Sequence, residues 1–421
     1  MKYLPPYSAH IRTSILVLTV LILTAGCRTQ GPQPDPNQVY FEIHPLYKTM
    51  IVPITINDTV TARMGFDTGG NFNMIEMDSS FCAAHPLHLW HRGSASAVYQ
   101  GGGSAWVYQQ PQGNMYVFDK DYTVTLGQTD VVYNQLTVWD QKGYFGENGN
   151  VGSFNMPVDT AHVWELNFEH NYIELHPTAT FKAPEGCLDV PIQLGFRGKR
   201  VFAKIPMKIT TSDSDTITIN HDFLIDTGMG WDVAVVTPAE ELAFFEEKAA
   251  IPFYFGAGGY VNRYIVDATI LGSLPVDSLC IYTLKNRARL SSDYYIGLNF
   301  LKRFNVFFDL RNMRMYLQPL KEFRRAFSPL WKRFDMNISQ TKSDTYIVTA
   351  LGDHDLNPYK KAGIRVGDEI IGLNGVRLTP ETSLEESKKL LKSSKVIIDV
   401  LRDGKPIRLT MERDPNEIQD D

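Results

Sequence analysis

The sequence predicts a mainly β protein made of two repeated β-rich lobes, followed by a smaller α+β domain at its carboxyl end. Runs of Val, Ile and Thr recur between Gly and Asn/Asp turns, a pattern typical of strands. One strand–turn–strand unit occurs twice along the chain, which indicates an internal duplication. The last hundred residues differ in composition and alternate strand with helix signals, so we expect a separate domain there.

The composition of the chain argues against several classes of function. The chain has 421 residues, enough for two or three domains, and a formal net charge of −6 without a long Lys/Arg block, so we expect no nucleic-acid partner. Its four cysteines form no CxxC pair, and the histidines lack metal-ligand spacing, so we predict neither a metal site nor a cofactor. Cys27 belongs to an N-terminal targeting segment, described next. Cys82, Cys187 and Cys280 are expected to be buried free thiols.

The N-terminus has the layout of a signal peptide, predicted over residues 1–27. Lys2 and Arg12 precede an apolar run, residues 15–23, that is too short to span a bilayer. The following Thr24-Ala-Gly-Cys27 resembles a bacterial lipobox, although Thr24 stands where that family usually has Leu. The resemblance implies a lipid on Cys27 and a membrane anchor. An ordinary cleaved secretion signal is the alternative.

Residues 28–38 are rich in Pro, Gln and Gly and predict a flexible tether. By resemblance, Arg28 favours the outer membrane, because inner-membrane retention is associated with aspartate after the lipidated cysteine. The sequence leaves open whether the protein faces the periplasm or the cell surface.

The repeated unit ends in Asp-Thr-Gly in both copies. The first copy, residues 51–69, has two strands around an Asn57-Asp58 turn and delivers Asp67. On its second strand Ala62, Met64 and Phe66 share one face, with the period of two that a strand requires. The second copy, residues 217–228, uses the apolar strand 223–225 to deliver Asp226.

Three further landmarks follow each copy in the same order. A glycine-rich segment comes first, at residues 99–103 and 255–259. A segment containing one glycine comes next, Gly152 in the first half and Gly297 in the second. A hairpin pattern then closes each half, at residues 167–175 and 307–315.

These ordered motifs make residues 39–320 resemble the retropepsin-like and pepsin-like aspartic proteases, in which each lobe supplies one catalytic aspartate. The resemblance implies lobe 1 over residues 39–185, lobe 2 over 186–320, and a catalytic pair Asp67 and Asp226. Because one chain holds both, we expect a monomer. The implied supporting residues are Thr68, Gly69, Thr227, Gly228, Gly152 and Gly297, and the implied flap or substrate-binding residues are Gly101, Gly102, Gly103, Gly256, Gly258 and Gly259.

The chemistry that the resemblance implies uses a water held between two carboxyls that share one proton, as the aspartic-protease pair does. One carboxyl takes a proton from water and the other donates one. This chain has Gly70 and Met229 where the clan usually has Ser, Thr or Ala after the motif. A hydroxyl there would favour the ionised carboxylate, so we predict a pair that titrates higher, with activity nearer neutral than strongly acidic pH.

The α+β domain is predicted over residues 321–415, and an acidic tail is predicted over residues 416–421. Lys361-Ala-Gly-Ile-Arg-Val-Gly-Asp-Glu-Ile-Ile-Gly-Leu-Asn-Gly375 resembles the central signature of PDZ domains, which bind an extended chain end by strand addition. The resemblance implies a groove at Phe334, Met336 and Ile338, but the loop there lacks the family's glycine. Predicted helices start at Asn357-Pro358 and at Thr382, and predicted strands flank Asp403-Gly404.

The sequence therefore predicts a lipid-anchored cell-envelope aspartic endopeptidase that cleaves peptide or protein substrates, with the C-terminal domain docking peptides or regulating access. The alternative is a catalytically inactive lipoprotein that binds peptides through an inert cleft and the C-terminal groove. The two hypotheses differ in whether Asp67 and Asp226 act together on a water.

Overall fold

The structure is a computed structural model. It describes residues 35–43, 49–70, 74–85, 104–110, 113–139, 150–195, 198, 200–211, 213–236, 240–248, 251–254, 260–284, 292–321, 323, 336–340, 346–351, 357–378 and 393–412. The predicted signal peptide and most of the tether lie outside these ranges. In the described part of the chain, no helix combines the length and apolar character needed to cross a membrane.

The described residues of the first half are β-rich and include one short helix. Its elements are β1 (Val39–Tyr40), β2 (Glu42–Ile43), β3 (Met50–Ile56), β4 (Val60–Phe66), β5 (Met74–Asp78), α1 (Ser79–Ala84), β6 (Ser104–Gln110), β7 (Gly113–Leu126), β8 (Thr129–Trp139), β9 (Asn150–Phe154), β10 (His162–Asn167) and β11 (Tyr172–Pro177). The turn between β3 and β4 has positive φ at Asn57 and Asp58, a conformation that these two residue types tolerate. The predicted turn is therefore confirmed.

The second half has the same character. Its elements are β12 (Leu188–Gly195), β13 (Arg200–Lys204), β14 (Met207–Thr210), β15 (Thr216–Ile219), β16 (Asp222–Asp226), β17 (Val233–Val236), α2 (Leu242–Glu246), β18 (Ile251–Tyr254), β19 (Tyr260–Ile270), β20 (Leu274–Leu284), β21 (Tyr294–Gly297), α3 (Leu298–Leu301), β22 (Phe304–Asp309) and β23 (Arg314–Pro319). Both predicted closing hairpins are present, as β10–β11 and β22–β23.

The C-terminal part forms a third sheet. Its elements are β24 (Met336–Gln340), β25 (Tyr346–Leu351), α4 (Pro358–Lys361), β26 (Glu369–Leu373), β27 (Val376–Arg377), β28 (Lys395–Arg402) and β29 (Lys405–Glu412). Helix α4 begins where predicted, because the Asn357 side chain accepts hydrogen bonds from the N–H groups of Tyr359 and Lys360. The β28–β29 hairpin turns at Asp403 and Gly404, both with positive φ, also as predicted.

Sheet pairing repeats between the halves. In the eight-stranded sheet of the first half, β9 lies between β4, its parallel partner, and β5, its antiparallel partner, while β5 runs parallel to β8. In the fifteen-stranded sheet, β21 lies between β16 and β17 with the same two orientations, and β17 runs parallel to β20. The mainly β prediction is confirmed, and the pairing pattern follows the duplication read from the sequence.

Side chains from both halves share one core, which the C-terminal sheet does not join. The core includes Phe66, Trp164, Phe223 and Phe308, and the predicted stripe on β4 is buried. The C-terminal sheet packs a separate core around Tyr346, Val396 and Ile398. Burial of large apolar side chains from distant segments fixes the two Asp-Thr-Gly loops against each other.

The described cysteines match the free-thiol prediction in part. Cys82 and Cys280 are buried free thiols, whereas Cys187 is also free but lies at intermediate exposure. Cys187 follows the turn at residues 184–186 rather than standing inside a sheet, so the prediction of full burial was wrong for this residue. Burial raises the pKa of the Cys187 thiol to about 11, which keeps it in its neutral form at physiological pH.

Candidate active site

Equivalent strands deliver the two aspartates. Asp67 follows the last residue of β4, and its N–H donates to the carbonyl oxygen of Phe154 at 3.0 Å. Asp226 is the last residue of β16 and lies opposite Gly297 of the parallel strand β21. Each aspartate thus stands at the carboxyl end of a strand whose neighbour is the central strand of its own half.

The two threonines that follow the aspartates bind the opposite loop. Thr68 N–H donates to Thr227 Oγ1 at 3.0 Å, and Thr227 N–H donates to Thr68 Oγ1 at 2.9 Å. The hydroxyls donate in turn, Thr68 Oγ1 to the carbonyl of Ile225 and Thr227 Oγ1 to that of Phe66, both at 2.9 Å. Both threonines are buried. We call these four reciprocal bonds the threonine lattice; it fixes the distance between the loops.

Glycine follows each threonine because the opposite carboxyl occupies the space of a side chain. A Cβ atom on Gly69 would lie 2.3 Å from the carboxyl carbon of Asp226, and one on Gly228 would lie 2.6 Å from that of Asp67. Real Cβ atoms do not approach other heavy atoms this closely, so an alanine at either position would push a carboxyl away. The two glycines therefore allow each aspartate to reach across to the other loop.

The carboxyls of Asp67 and Asp226 interact directly. Burial raises the pKa of Asp226 well above its usual range, and the negative charge of Asp67 and a hydrogen bond to its side chain raise it further. The N–H groups of Gly228 and Met229 oppose this shift. Asp67 Oδ1 accepts hydrogen bonds from Gly69 N–H at 2.8 Å and Gly70 N–H at 3.1 Å. The arrangement favours one proton shared by the pair.

The predicted supporting glycines have different surroundings. A Cβ on Gly297 would lie 2.2 Å from the carbonyl oxygen of Trp231 and 2.6 Å from that of Met229, both in the loop after Asp226. A Cβ on Gly152 would lie 2.0 Å from the carbonyl oxygen of Glu76, on the neighbouring strand β5. Gly297 thus supports the Asp226 loop directly, whereas Gly152 allows close packing of β9 against β5.

Asn155 takes the place behind the Asp67 loop. Phe66 pairs with Phe154, so Asn155 follows at the level of Asp67, as Gly297 does for Asp226. Its Nδ2 donates to the carbonyl of Gly70 at 2.8 Å, and its Oδ1 accepts from Met156 N–H at 2.6 Å. Asn155 was not among the predicted site residues. Its position directly after Val151-Gly-Ser-Phe154, the end of β9, was the available signal.

Several predicted residues lie outside the described part of the chain. These are the flap candidates Gly101, Gly102, Gly103, Gly256, Gly258 and Gly259, and the groove candidate Phe334. Met336 begins β24 and packs against the C-terminal core, and Ile338 lies on the same strand opposite Val348. The helix predicted to start at Thr382 is also outside the described residues.

One group of side chains away from the aspartates has metal-ligand types. Glu165, Glu174 and His176 each place a ligand atom within 4.8 Å of the others, on strands β10 and β11. His176 Nε2 lies 2.6 Å from Glu165 Oε2, and this hydrogen bond raises the pKa of His176. The raised pKa favours the protonated imidazole, which lies 2.6 Å from Glu165 and 3.7 Å from Glu174, so the group forms a cluster of internal ion pairs.

Comparison with known proteins finds a weak structural likeness. No protein-family model matches the chain, and neither does any curated protein. Among solved structures, basic 7S globulin from soybean is similar over 67% of this chain and 94% of its own, with 10% sequence identity and a TM-score of 0.39. A likeness at that level carries no conclusion about activity.

Proposed function

We propose that this chain is an aspartic endopeptidase that hydrolyses extended peptide segments with a water activated between Asp67 and Asp226. One observation carries the proposal: two carboxyls from distant parts of the sequence each reach across to the other's loop, where a Cβ on Gly69 or Gly228 would lie 2.3 or 2.6 Å from the opposite carboxyl carbon. Holding two half-buried acids together is unfavourable unless something constrains them, and the threonine lattice supplies that constraint. Pairs of this kind are typical of catalytic sites.

The two carboxyls act together on one water. Backbone N–H groups of each loop reach its own carboxyl, those of Gly69 and Gly70 at Asp67 and two equivalent ones at Asp226, so either carboxyl can carry the negative charge. The ionised carboxyl would take a proton from water, and the protonated one would donate its proton to the carbonyl oxygen as the water oxygen attacks the carbonyl carbon. The C–N bond of the tetrahedral intermediate then breaks as the amide nitrogen takes the proton that was removed from water, and a hydroxyl of the intermediate returns a proton to the other carboxyl. The two aspartates end in the protonation state from which they began.

The proposed architecture is a two-lobed protease unit followed by a PDZ domain. The repeated order of β4, β9, β5 and β8 and of β16, β21, β17 and β20 supports the first part. The antiparallel order β24-β25-β26-β28-β29, with its own core, supports the second. In this proposal the C-terminal domain docks substrate or regulates access, as strand addition at its edge would allow.

A cleavage assay with matched variants tests the proposal. The chain without residues 1–27 is incubated with a mixed peptide pool, and products are identified by mass spectrometry. Asp67→Asn and Asp226→Asn keep side-chain size but remove the acid, so each should lower kcat/KM by roughly a thousandfold or more, since neither carboxyl works alone. Asp58→Asn is the control, because Asp58 is exposed in a hairpin turn and Asn suits its positive φ.

The outcomes separate the two hypotheses of function. Cleavage that survives in either aspartate variant would contradict the proposal. Peptide binding without cleavage by the wild type would favour the inactive peptide-binding protein. The raised pKa of Asp226 keeps the proton donor in place to higher pH, so the rate should remain high near neutral pH. A rate maximum below about pH 4 would contradict that part.

A further inference from the structure

Each half presents three cross-strand residues on the face that carries its aspartate. In lobe 1, Ser153 pairs with both Gly65 and Glu76; we call these residues the lobe-1 triplet. In lobe 2, Tyr295 pairs in the same way with Leu224 and Ala234; we call these the lobe-2 triplet. Gly65 and Leu224 each stand two residues before an aspartate. Because strand side chains alternate, each triplet faces the same side as the catalytic carboxyl.

The two triplets differ in chemistry. The lobe-2 triplet is apolar and almost wholly buried, and it packs in a small cluster with Trp231 and Tyr282. In the lobe-1 triplet, Ser153 and Glu76 are polar and only partly buried. Gly65 leaves the surface between Asp67 and Glu76 without a side chain, although a Cβ there would make only ordinary contacts, at 3.6 Å or more. Lobe 1 therefore offers an acidic, accessible position beside the catalytic pair.

The carboxyl of Glu76 receives its described hydrogen bonds from uncharged side chains. Its Oε2 accepts a hydrogen bond from Ser153 Oγ at 3.2 Å. Burial raises its pKa to about 7, and the negative charge of Asp67 adds to the rise. The side chains of Ser153 and Trp139 and the positive charge of Arg200 oppose it, with Arg200 contributing least. A cationic group arriving beside Glu76 would offset both the burial cost and the repulsion from Asp67.

We propose that Glu76 determines specificity by receiving the cationic side chain of a substrate Lys or Arg next to the scissile bond. This inference rests on the proposed endopeptidase function and names its substrate class: extended peptides with a basic residue on the lobe-1 side of the cleaved bond. Gly65 keeps the strand position between Asp67 and Glu76 free of a side chain, and the Ser153 hydroxyl holds the carboxylate in position. The lobe-2 triplet, apolar and already covered, offers no equivalent.

Paired peptides test the inference. Quenched fluorescent peptides that differ only by lysine or norleucine are compared at each of three positions on either side of the cleaved bond. Norleucine has nearly the same shape as lysine but no charge. At one position the ratio of kcat/KM, lysine over norleucine, should reach roughly ten to a hundred at pH 8, where Glu76 is ionised, as expected for a charge-assisted hydrogen bond. The ratio should fall at pH 5.5, where Glu76 is protonated.

Variants identify the residue responsible. Glu76→Gln should bring the ratio close to one, whatever the absolute rates, and Glu76→Asp should retain part of it because the charge is kept but set back. Glu42→Gln is the matched control: Glu42 is an exposed strand residue paired with Arg63 at 3.3 Å, and its loss should leave the ratio unchanged.

The results distinguish failure of the inference from failure of the proposed function. A wild-type ratio near one at every position, or a ratio that persists in both Glu76 variants, overturns the specificity role while leaving the endopeptidase in place. Absence of cleavage of any peptide by the wild type overturns both. Circular dichroism of each variant shows whether it is folded. If Glu76→Gln does not fold, a Glu76→Asp ratio equal to that of the wild type overturns the specificity role, and a reduced ratio supports it.

Discussion

The loop carrying Asp67 and the loop carrying Asp226 are joined by equivalent bonds but supported from behind in different ways. The threonine lattice is reciprocal, with each donor and acceptor on one side matched on the other. Behind Asp67, the amide of Asn155 binds the carbonyl of Gly70. Behind Asp226, Gly297 brings the backbone of β21 directly against the loop.

The Asp226 side has its own buried polar cluster. Asp232 accepts hydrogen bonds from Asn299 Nδ2 at 2.7 Å and from Cys280 N–H at 3.1 Å, and Arg303 Nη2 lies 3.9 Å away. Burial raises the pKa of Asp232, while the positive charge of Arg303 opposes the shift. This cluster ties the segment after the loop to α3, a connection that has no counterpart in the Asn155 interactions.

The difference shows which features a duplicated site must keep. The atoms that meet between the halves, Thr68, Gly69, Thr227 and Gly228, are equivalent because each must fit the other loop. The residues behind them contact only their own half, so a side-chain amide and a glycine can perform the same supporting task. The two halves therefore need equivalent residues where their loops meet, and they can differ in the residues that support those loops from behind.

The largest expected effect on stability comes from adding a side chain at Gly297, where the backbone of β21 lies against the loop that follows Asp226. Gly297→Ala would place a Cβ 2.2 Å from a backbone oxygen, so it should lower the free energy of unfolding by roughly 4 kcal/mol or more. Asn155→Gly instead removes hydrogen bonds without a clash and should cost only about 1 to 3 kcal/mol. Urea unfolding followed by tryptophan fluorescence measures both.

If Gly297→Ala and Asn155→Gly lowered the free energy of unfolding equally, the contrast between the two loops would fail. Equal losses would mean that the loops of Asp67 and Asp226 are supported by the same mechanism. Gly272→Ala is a useful control for Gly297→Ala. Gly272 has a positive φ of 78° but nothing within 4 Å of an added Cβ, so it isolates backbone strain from steric overlap.

The threonine lattice should give matched, intermediate effects. Thr68→Val and Thr227→Val each remove one donor and one acceptor and leave a buried carbonyl and a buried N–H unpaired. Each should therefore cost about 2 to 4 kcal/mol, and because the four bonds are distinct, any departure of the double variant from the sum of the two costs measures the coupling between the loops. Thermal or urea unfolding of the three variants checks this. Single-variant costs that differ by more than about 2 kcal/mol would show that the lattice is not reciprocal in energy.

Sequence reasoning reached the features that depend on local pattern. The apolar strand before Asp226 and the Asn57-Asp58 turn follow from periodicity and turn chemistry, and the repeat placed both aspartates at strand ends. It aligned Gly152 with Gly297 because each is the single glycine of its segment. The sequence pattern does not specify the register between strands. The register places Asn155, and not Gly152, behind Asp67, and it places Gly152 beside β5.

Glu76 illustrates the same limit. Alternation on β5 shows that its side chain points away from the core residue Ile75, but not what lies on that side. Its neighbours Ser153 and Gly65 come from strands that are distant in sequence, and the pairing of three strands brings them together. An isolated glutamate in a strand is unremarkable until that pairing is known.

The smallest expected effect concerns this acidic position on lobe 1, and it depends on pH. The pKa of Glu76 is about 7 in the folded protein and 4.5 ordinarily, so between these values the folded state binds more protons than the unfolded state. Raising the pH through this window therefore destabilises the wild type, whereas Glu76→Gln, which can still accept the Ser153 hydrogen bond, escapes that loss. The variant should match the wild type at pH 4 and be more stable by about 1 to 3 kcal/mol at pH 8. The free energy of unfolding of the wild type and of Glu76→Gln is measured across this pH range, with the exposed Glu42→Gln as control. Parallel curves for the wild type and Glu76→Gln would contradict the raised pKa of Glu76, because a carboxyl that titrates normally gives no such divergence.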